Sequence, residues 1–219
     1  MLVSTATSLV LIRNKCIEVV EQDRAPYFGI TWDTQGRLFV ACKFSDNASV
    51  IASFDKRLQI QSELTVPVRN VHQIISHNDR LFLTGAESNK VVELLQNGSV
   101  ETFYHSGGSV LDGNIGEDHI NSIWFDGNTA HVVEHRQSTR FNRPSRIRRV
   151  DSGGRIISER FIGRNAHNVY IEPVGHSARL FINDSSGERL TVVDLSNGSR
   201  KQIACGGYTR GFGSFTDGY

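Results

Sequence analysis

What this 219-residue chain lacks narrows its possible roles before any motif is considered. Its formal net charge is +1, so no overall pull toward a polyanion exists, and a nucleic-acid partner is not expected. Cysteine is scarce: Cys16, Cys42 and Cys205 are odd in number, far apart and form no C-x-x-C pair. That pattern supports neither a disulfide framework nor a cysteine zinc site, and it suits a reducing compartment. No apolar stretch approaches the ~18 residues that a membrane span requires. The opening MLVSTATSLVLIRNK has no basic segment ahead of its apolar run. The expectation is a soluble, cytoplasmic protein with no membrane partner. Helical periodicity is almost absent. No G-x-x-x-x-G-K phosphate loop or G-x-S-x-G elbow occurs, and GGSVLDGNIG lacks the strand-to-helix setting of a dinucleotide site.

What is present is strand grammar. Short runs rich in Val, Ile, Phe and Leu are separated by DTQG, HND, NGS, DGN, DSGG and SNGS. They recur at about 45 residues, the spacing of a four-stranded propeller blade. YFGITWD, RLFVACK, ASVIASFD and LQIQSEL form one such unit, and three more follow in the same order, beginning VHQIISH, INSIWFD and HNVYIEP. The remaining runs are LVSTAT, SLVLIRN and CIEVVEQ at the start and YTRGFGSFTDG at the end. Three N-terminal strands and one C-terminal strand make a further blade, whose joining removes exposed sheet edges. The sequence therefore predicts a single all-β domain over 1–219, a five-bladed β-propeller of four-stranded antiparallel blades. The alternative is a longer propeller cut just after an inner strand. The triplets at Asn97 and Asn197, though they match a glycosylation pattern, read as Asn-Gly turns. Cys16, Cys42 and Cys205 read as packing residues, as do Trp32, Trp124, Phe125 and Phe181.

LVSTATSLVLI, HINSIWFDGN and the tail HNVYIEP…RLFINDSSGERLTVVDLSNG…GYTRGFG resemble an uncharacterised bacterial family of propeller proteins. Its members carry an ISTYQAGKL-like opening, an HLNGLA strand, an HSPRW…LWLLNSGTGEL blade and a GFTRGLAF strand. The resemblance spans nearly the whole chain and implies the propeller fold. It brings no settled activity, and family members usually continue beyond the TRG strand.

Function is therefore sought where inner strands begin, because loops entering those strands form the rim of a propeller channel. His72, His119 and His167 stand near the starts of successive inner strands, with Arg210 at the matching place in the closing strand and Tyr27 in the second unit. Neutral imidazoles from three strands suit a divalent metal with an open coordination position, to which Glu117 or Asp118 would add a carboxylate. The plainer reading is that these histidines line the channel and bond to backbone and water. Asn121 and Asn168 read as satisfying local backbone groups. A long Gly-rich connection, 106–118, is expected to overhang the channel mouth. Facing it, residues 134–146 carry His135, Arg136, Arg140 and Arg143, a local positive cluster suited to a small anionic molecule. The arginines of RIRRV, 146–150, read as solvent-exposed.

These residues predict a small metal-dependent lyase or hydrolase acting on a small anionic substrate. Glu117, Asp118 or Glu134 would be general base, and Arg136, Arg140, Arg143, Arg210, Tyr27 and His135 would hold the ligand. The competing expectation is a non-catalytic propeller module that binds a small anion or a protein partner with the same rim.

Overall fold

The computed structural model describes residues 1–45, 47–111, 115–136, 142–174 and 177–210. The fold is that of an all-β, five-blade propeller, with no α-helix among the described residues. Its strands group into two compact units, Met1–Gly116 and Glu117–Tyr219.

The first unit opens with β1 (Leu2–Ser4), β2 (Leu9–Arg13) and β3 (Cys16–Glu21), paired antiparallel in that order. The fourth strand predicted for this sheet falls, from residue 211 onward, outside the described residues. A complete blade follows: β4 (Tyr27–Trp32), β5 (Leu38–Phe44), β6 (Ser49–Phe54) and β7 (Ile60–Val66). The next holds β8 (Val71–His77), β9 (Arg80–Gly85), β10 (Lys90–Leu94) and β11 (Val100–His105). A short hairpin of β12 (Val110–Leu111) and β13 (Ile115–Gly116) lies in the long Gly-rich connection. Asn89 ties that connection to its own blade by donating from Nδ2 to Gly108 O (3.1 Å) and Ser109 O (2.9 Å).

The second unit holds two complete blades. One is β14 (Ile120–Asp126), β15 (Thr129–Glu134), β16 (Arg146–Val150) and β17 (Ile156–Phe161). The other is β18 (Ala166–Val174), β19 (Ser177–Asp184), β20 (Arg189–Asp194) and β21 (Arg200–Ala204), with a 3-10 turn at Ser185–Gly187 between β19 and β20.

Within each blade burial follows strand position. The middle strands are the most buried, as in β6, SVIASF, whereas the outermost strands β7, β17 and β21 are largely exposed and carry the charges that discourage edge pairing. Leu9, Tyr27, Leu38, Val40, Cys42, Ala52 and Phe54 fill one core of the first unit, and Val66, Val71, Ile74, Leu83 and Val92 belong to a second. Val133, Ile147, Val169, Ile171, Leu180 and Ile182 lie in the core of the second unit. The turns repeat a device. Asp33, Asp55 and Asp151 each accept two backbone N–H bonds through one carboxylate oxygen, and Gly36 and Gly154 take the positive φ that closes two of these turns. The Asn97 and Asn197 turns form as predicted, each accepting the N–H of the serine two residues on.

Two readings of composition need correction. Cys42 is buried in the core, but Cys16 and Cys205 are exposed, because β3 is an outer strand and Cys205 follows another. Trp32 ends β4 with 46% of its surface exposed and packs little, whereas Trp124 lies edge-on to Tyr170 at 4.9 Å against the second unit's core.

Candidate functional site

A β-bulge recurs near the start of the first strand in each complete blade. The register skips between Tyr27 and Ile30, Val71 and Gln73, Ile120 and Ser122, and His167 and Val169. Such an insertion shifts every side chain before it to the other face relative to an unbulged count. His72 is the bulged residue of its strand, His167 immediately precedes a bulge, and His119 precedes one by two residues. The positions that carry His72 in β8 carry Asn121 in β14 and Asn168 in β18. The three histidines are therefore not equivalent, and His72, in the first unit, stacks flat on Phe28 with ring centroids 5.2 Å apart.

The second unit assembles a different set of rings. His119 and His135 approach to 5.1 Å between centroids, His135 and His167 to 5.3 Å, and His167 and Tyr208 to 5.5 Å, each pair tilted or edge-to-face. The Arg210 guanidinium sits over the Tyr208 ring at 5.2 Å. Ser145, fully buried, fixes the spacing between the two blades. Its hydroxyl donates to His135 O (3.2 Å) and accepts the N–H of Ala166 (2.9 Å), the residue before His167.

His167 is 3% exposed and its tautomer follows from its neighbours. Nδ1 lies 2.6 Å from Asn165 O, which can only accept, so Nδ1 carries the hydrogen. Ser185 Oγ, 2.8 Å from the same nitrogen, gives its own hydrogen to Thr209 O at 2.6 Å. In the neutral imidazole the lone pair is therefore on Nε2.

Beneath this row runs a charge network. Glu134, fully buried at the end of β15, stands opposite Arg146 in the sheet register and accepts from its Nε at 2.6 Å. Arg148 Nη1 is 3.4 Å from the same carboxylate. Arg146 also reaches Asp118 (3.4 Å) and Glu159 (3.5 Å). Arg146 and Arg148 are thus drawn inward, which corrects the solvent-exposed reading of RIRRV for these two, because a buried carboxylate faces them across the strand pair; Arg149 is exposed, as that reading has it. Glu117 accepts from Arg143 at 2.8 Å. Arg136 donates to Pro144 O and lies over the Phe161 ring, and burial, with Arg146 nearby, pushes its guanidinium below its ordinary pKa.

The remaining predicted residues are placed as follows. Tyr27 is in the first unit's core, where its hydroxyl bonds Glu21 and accepts the N–H of Arg24, and burial raises its pKa well above the phenol range. Arg140 lies outside the described residues. Among the described residues no group of three or more His, Cys, Asp or Glu side chains is placed to hold a metal ion. Sequence reasoning missed Tyr208 as a member of the row, and it missed the Glu134–Arg146 pair. Only the pairing register of VVEH with RIRRV would have revealed the latter.

No protein-family model and no curated protein matches the chain. Solved structures do. A catalytically inactive histidine-to-alanine variant of virginiamycin B lyase from Staphylococcus aureus, with quinupristin, is 16% identical with a TM-score of 0.61, covering 92% of this chain and 64% of the lyase. An auxiliary nutrient binding protein from Bacteroides thetaiotaomicron is 12% identical with a TM-score of 0.68, covering 92% and 53%. A candidate 6-phosphogluconolactonase from Bacteroides fragilis is 11% identical with a TM-score of 0.62, covering 93% and 66%. The likeness is one of fold. The chain spans 62% to 64% of the length of the lyase structures it matches.

Proposed function

We propose that the protein is a lyase or hydrolase that binds a small anionic molecule along the imidazole row and uses His167 to move a proton. The observation that carries this reading is the His167 tautomer. With Nδ1 committed as a donor to Asn165 O, Nε2 is the basic atom, and the His135 and Tyr208 rings stand against the His167 ring. This is the arrangement of a general base oriented by a hydrogen bond at its other nitrogen.

Glu117, Asp118 and Glu134 are engaged with guanidinium groups, so the proton-accepting role falls to the imidazole, and the carboxylates hold the arginines in place. Arg210 at the outer end of the row supplies the charge that an anionic substituent requires. As a lyase, Nε2 would take the proton next to a carbonyl while the carbon–oxygen bond of an ester breaks, leaving an alkene and a carboxylate. As a hydrolase, it would take a proton from water as the water oxygen bonds to the carbonyl carbon and the alcohol departs. The names of two structural neighbours, a lyase and a candidate lactonase, make cyclic esters the first substrates to try.

The test is mass spectrometry of a panel of lactones and cyclic depsipeptides, quinupristin among them, incubated with wild type, His167→Asn and Ser185→Ala proteins. Ring opening without a mass change marks elimination, and gain of one water marks hydrolysis. His167→Asn should lose at least about a hundredfold in turnover, and Ser185→Ala should lose less while shifting the pH profile. Full turnover by His167→Asn would overturn the assignment. Binding without turnover in wild type would point to a binding module. Repeating the assay after chelation tests a divalent metal, and unchanged rates would leave the step to the side chains.

A further inference from the structure

The blade β14–β17 carries a polar line where its face should be apolar. Antiparallel register sets His131 opposite Arg149 and Arg149 opposite Ser158. The next line on the same face is Val133, Ile147 and Arg160. Val133 and Ile147 belong to the core shared with β18–β20, so this face looks toward the neighbouring blade of the same unit. Where the polar line begins, the core opens into a cavity of about 640 Å³. His131, Arg149 and Arg160 line it from one blade, and Ala178, Leu180 and Leu195 line it from the region of the other. That volume lies within the ~300–1,000 Å³ range of small-molecule sites.

His131 gives the cavity its chemistry. It is 2% exposed, and neither ring nitrogen has a hydrogen-bond partner among the described residues. Burial, reinforced by Arg149, pushes its pKa down to about 4, so near neutral pH it presents one N–H donor and one lone pair. Buried polar groups are nearly always paired, and an unpaired donor and acceptor beside a cavity call for an occupant. At the rim neither Arg149 nor Arg160 has an ion-pair partner among the described residues. Glu159, which also borders the cavity, bonds instead to Arg146 and Arg148, leaving Asp126 against two guanidinium groups.

We propose that this groove is a second ligand site, taking a small carboxylate with an apolar body and an amide. Its head pairs with Arg149 and Arg160, its body covers Ala178, Leu180 and Leu195, and its amide bonds His131. The site is separate from the imidazole row: His131 is four residues before His135, about 13 Å along an extended strand.

N-acetyl-leucine and N-acetyl-phenylalanine serve as probes, with octanoate as the carboxylate that lacks an amide. Imidazole-selective NMR of the full chain with labelled histidine reads the result. The acetylated probes should shift the His131 signals and leave those of His119, His135 and His167 in place, and octanoate should bind more weakly. Affinity should fall at least about tenfold in an Arg149→Ala, Arg160→Ala protein, the loss expected when a charge-assisted head group is removed. Both arginines lie at the rim of the groove, and Arg149→Gln with Arg160→Gln repeats the test if the alanine pair lowers the melting temperature. No shift at His131 with millimolar probe, a shift that survives both double variants, or a shift confined to His167 would each overturn the proposal.

Discussion

The two units use one frame for different purposes. In the first, Ser49 at the start of the third strand β6 donates to Val68 O (2.8 Å) and accepts the N–H of Val71 (3.3 Å), tying its blade to the next. In the second, Ser145, just before the third strand β16, likewise accepts the N–H of the next blade's first residue, Ala166, but donates to His135 O within its own blade. The inter-blade bond is shared, but what surrounds it is not. β6 is SVIASF, an apolar strand in an apolar core, whereas β16 is RIRRV, with Arg146 and Arg148 gathered around a buried glutamate. The next blade repeats the device: Asp184 ends β19 and bonds Arg189, which stands opposite it at the start of β20. In the first unit the corresponding place in β9 and β10 holds Gly85 opposite Lys90. A blade thus tolerates a buried charge at this strand end when the cross-strand partner is its counter-ion, and the second unit, which has these pairs, also has the imidazole row.

Removing Glu134 should break that comparison most severely. Glu134→Ala leaves Arg146 and Arg148 without their buried counter-charge and should cost about 3–5 kcal/mol in denaturant unfolding, with loss confined to the second unit's protection in hydrogen exchange. If Glu134→Ala unfolds at the wild-type midpoint, the network is not what holds β15 to β16.

Titration should separate the units next. His131 is held neutral with a pKa of about 4 against an ordinary 6.5, so the unfolded chain binds the extra proton between those values. Stability is intact above pH 6.5 and declines as pH falls toward 4, by about 3 kcal/mol in all. On the alkaline side, burial with Glu21 and Glu63 nearby pushes the Cys42 thiol up to about 11 from 9.0, so the unfolded chain loses its proton first and stability declines as pH rises from 9 to 11. His131→Phe should flatten only the acid limb of a stability-versus-pH curve, and Cys42→Ala only the alkaline one.

A purely steric change tests the first unit. A Cβ at Gly29, beside the β4 bulge, would lie 2.4 Å from Ile74 N and 2.6 Å from Gln73 Cα on β8. Gly29→Ala should therefore push these strands apart and cost about 1–3 kcal/mol in thermal or chemical unfolding. Smallest of all should be Arg80→Ala, which removes a pair with Glu93 in which the arginine side chain is half exposed. A change under about 1 kcal/mol is expected there, and a loss as large as that of Glu134→Ala would erase the distinction between the two kinds of pair.

The strand grammar of this sequence determined a great deal by itself. Alternating Val, Ile and Phe runs, the Asp-x-x-Gly turns and the blade-length repeat specify which segments become strands and in what order they pair, because period-two alternation and turn chemistry are local properties. All four complete blades formed from the predicted segments, and so did β1 to β3. Candidate residues such as His119, His135 and His167 were visible as histidines near strand ends for the same reason. Tertiary structure decided which of them meet. One extra residue in a bulge turns His72 toward Phe28 while a ring row forms from His119 to Tyr208, and no sequence period announces a bulge. It also decided the fate of the charges: RIRRV reads as a solvated strand until register sets Arg146 against Glu134, since whether a charge is buried depends on what lies across the sheet and not on its neighbours along the chain.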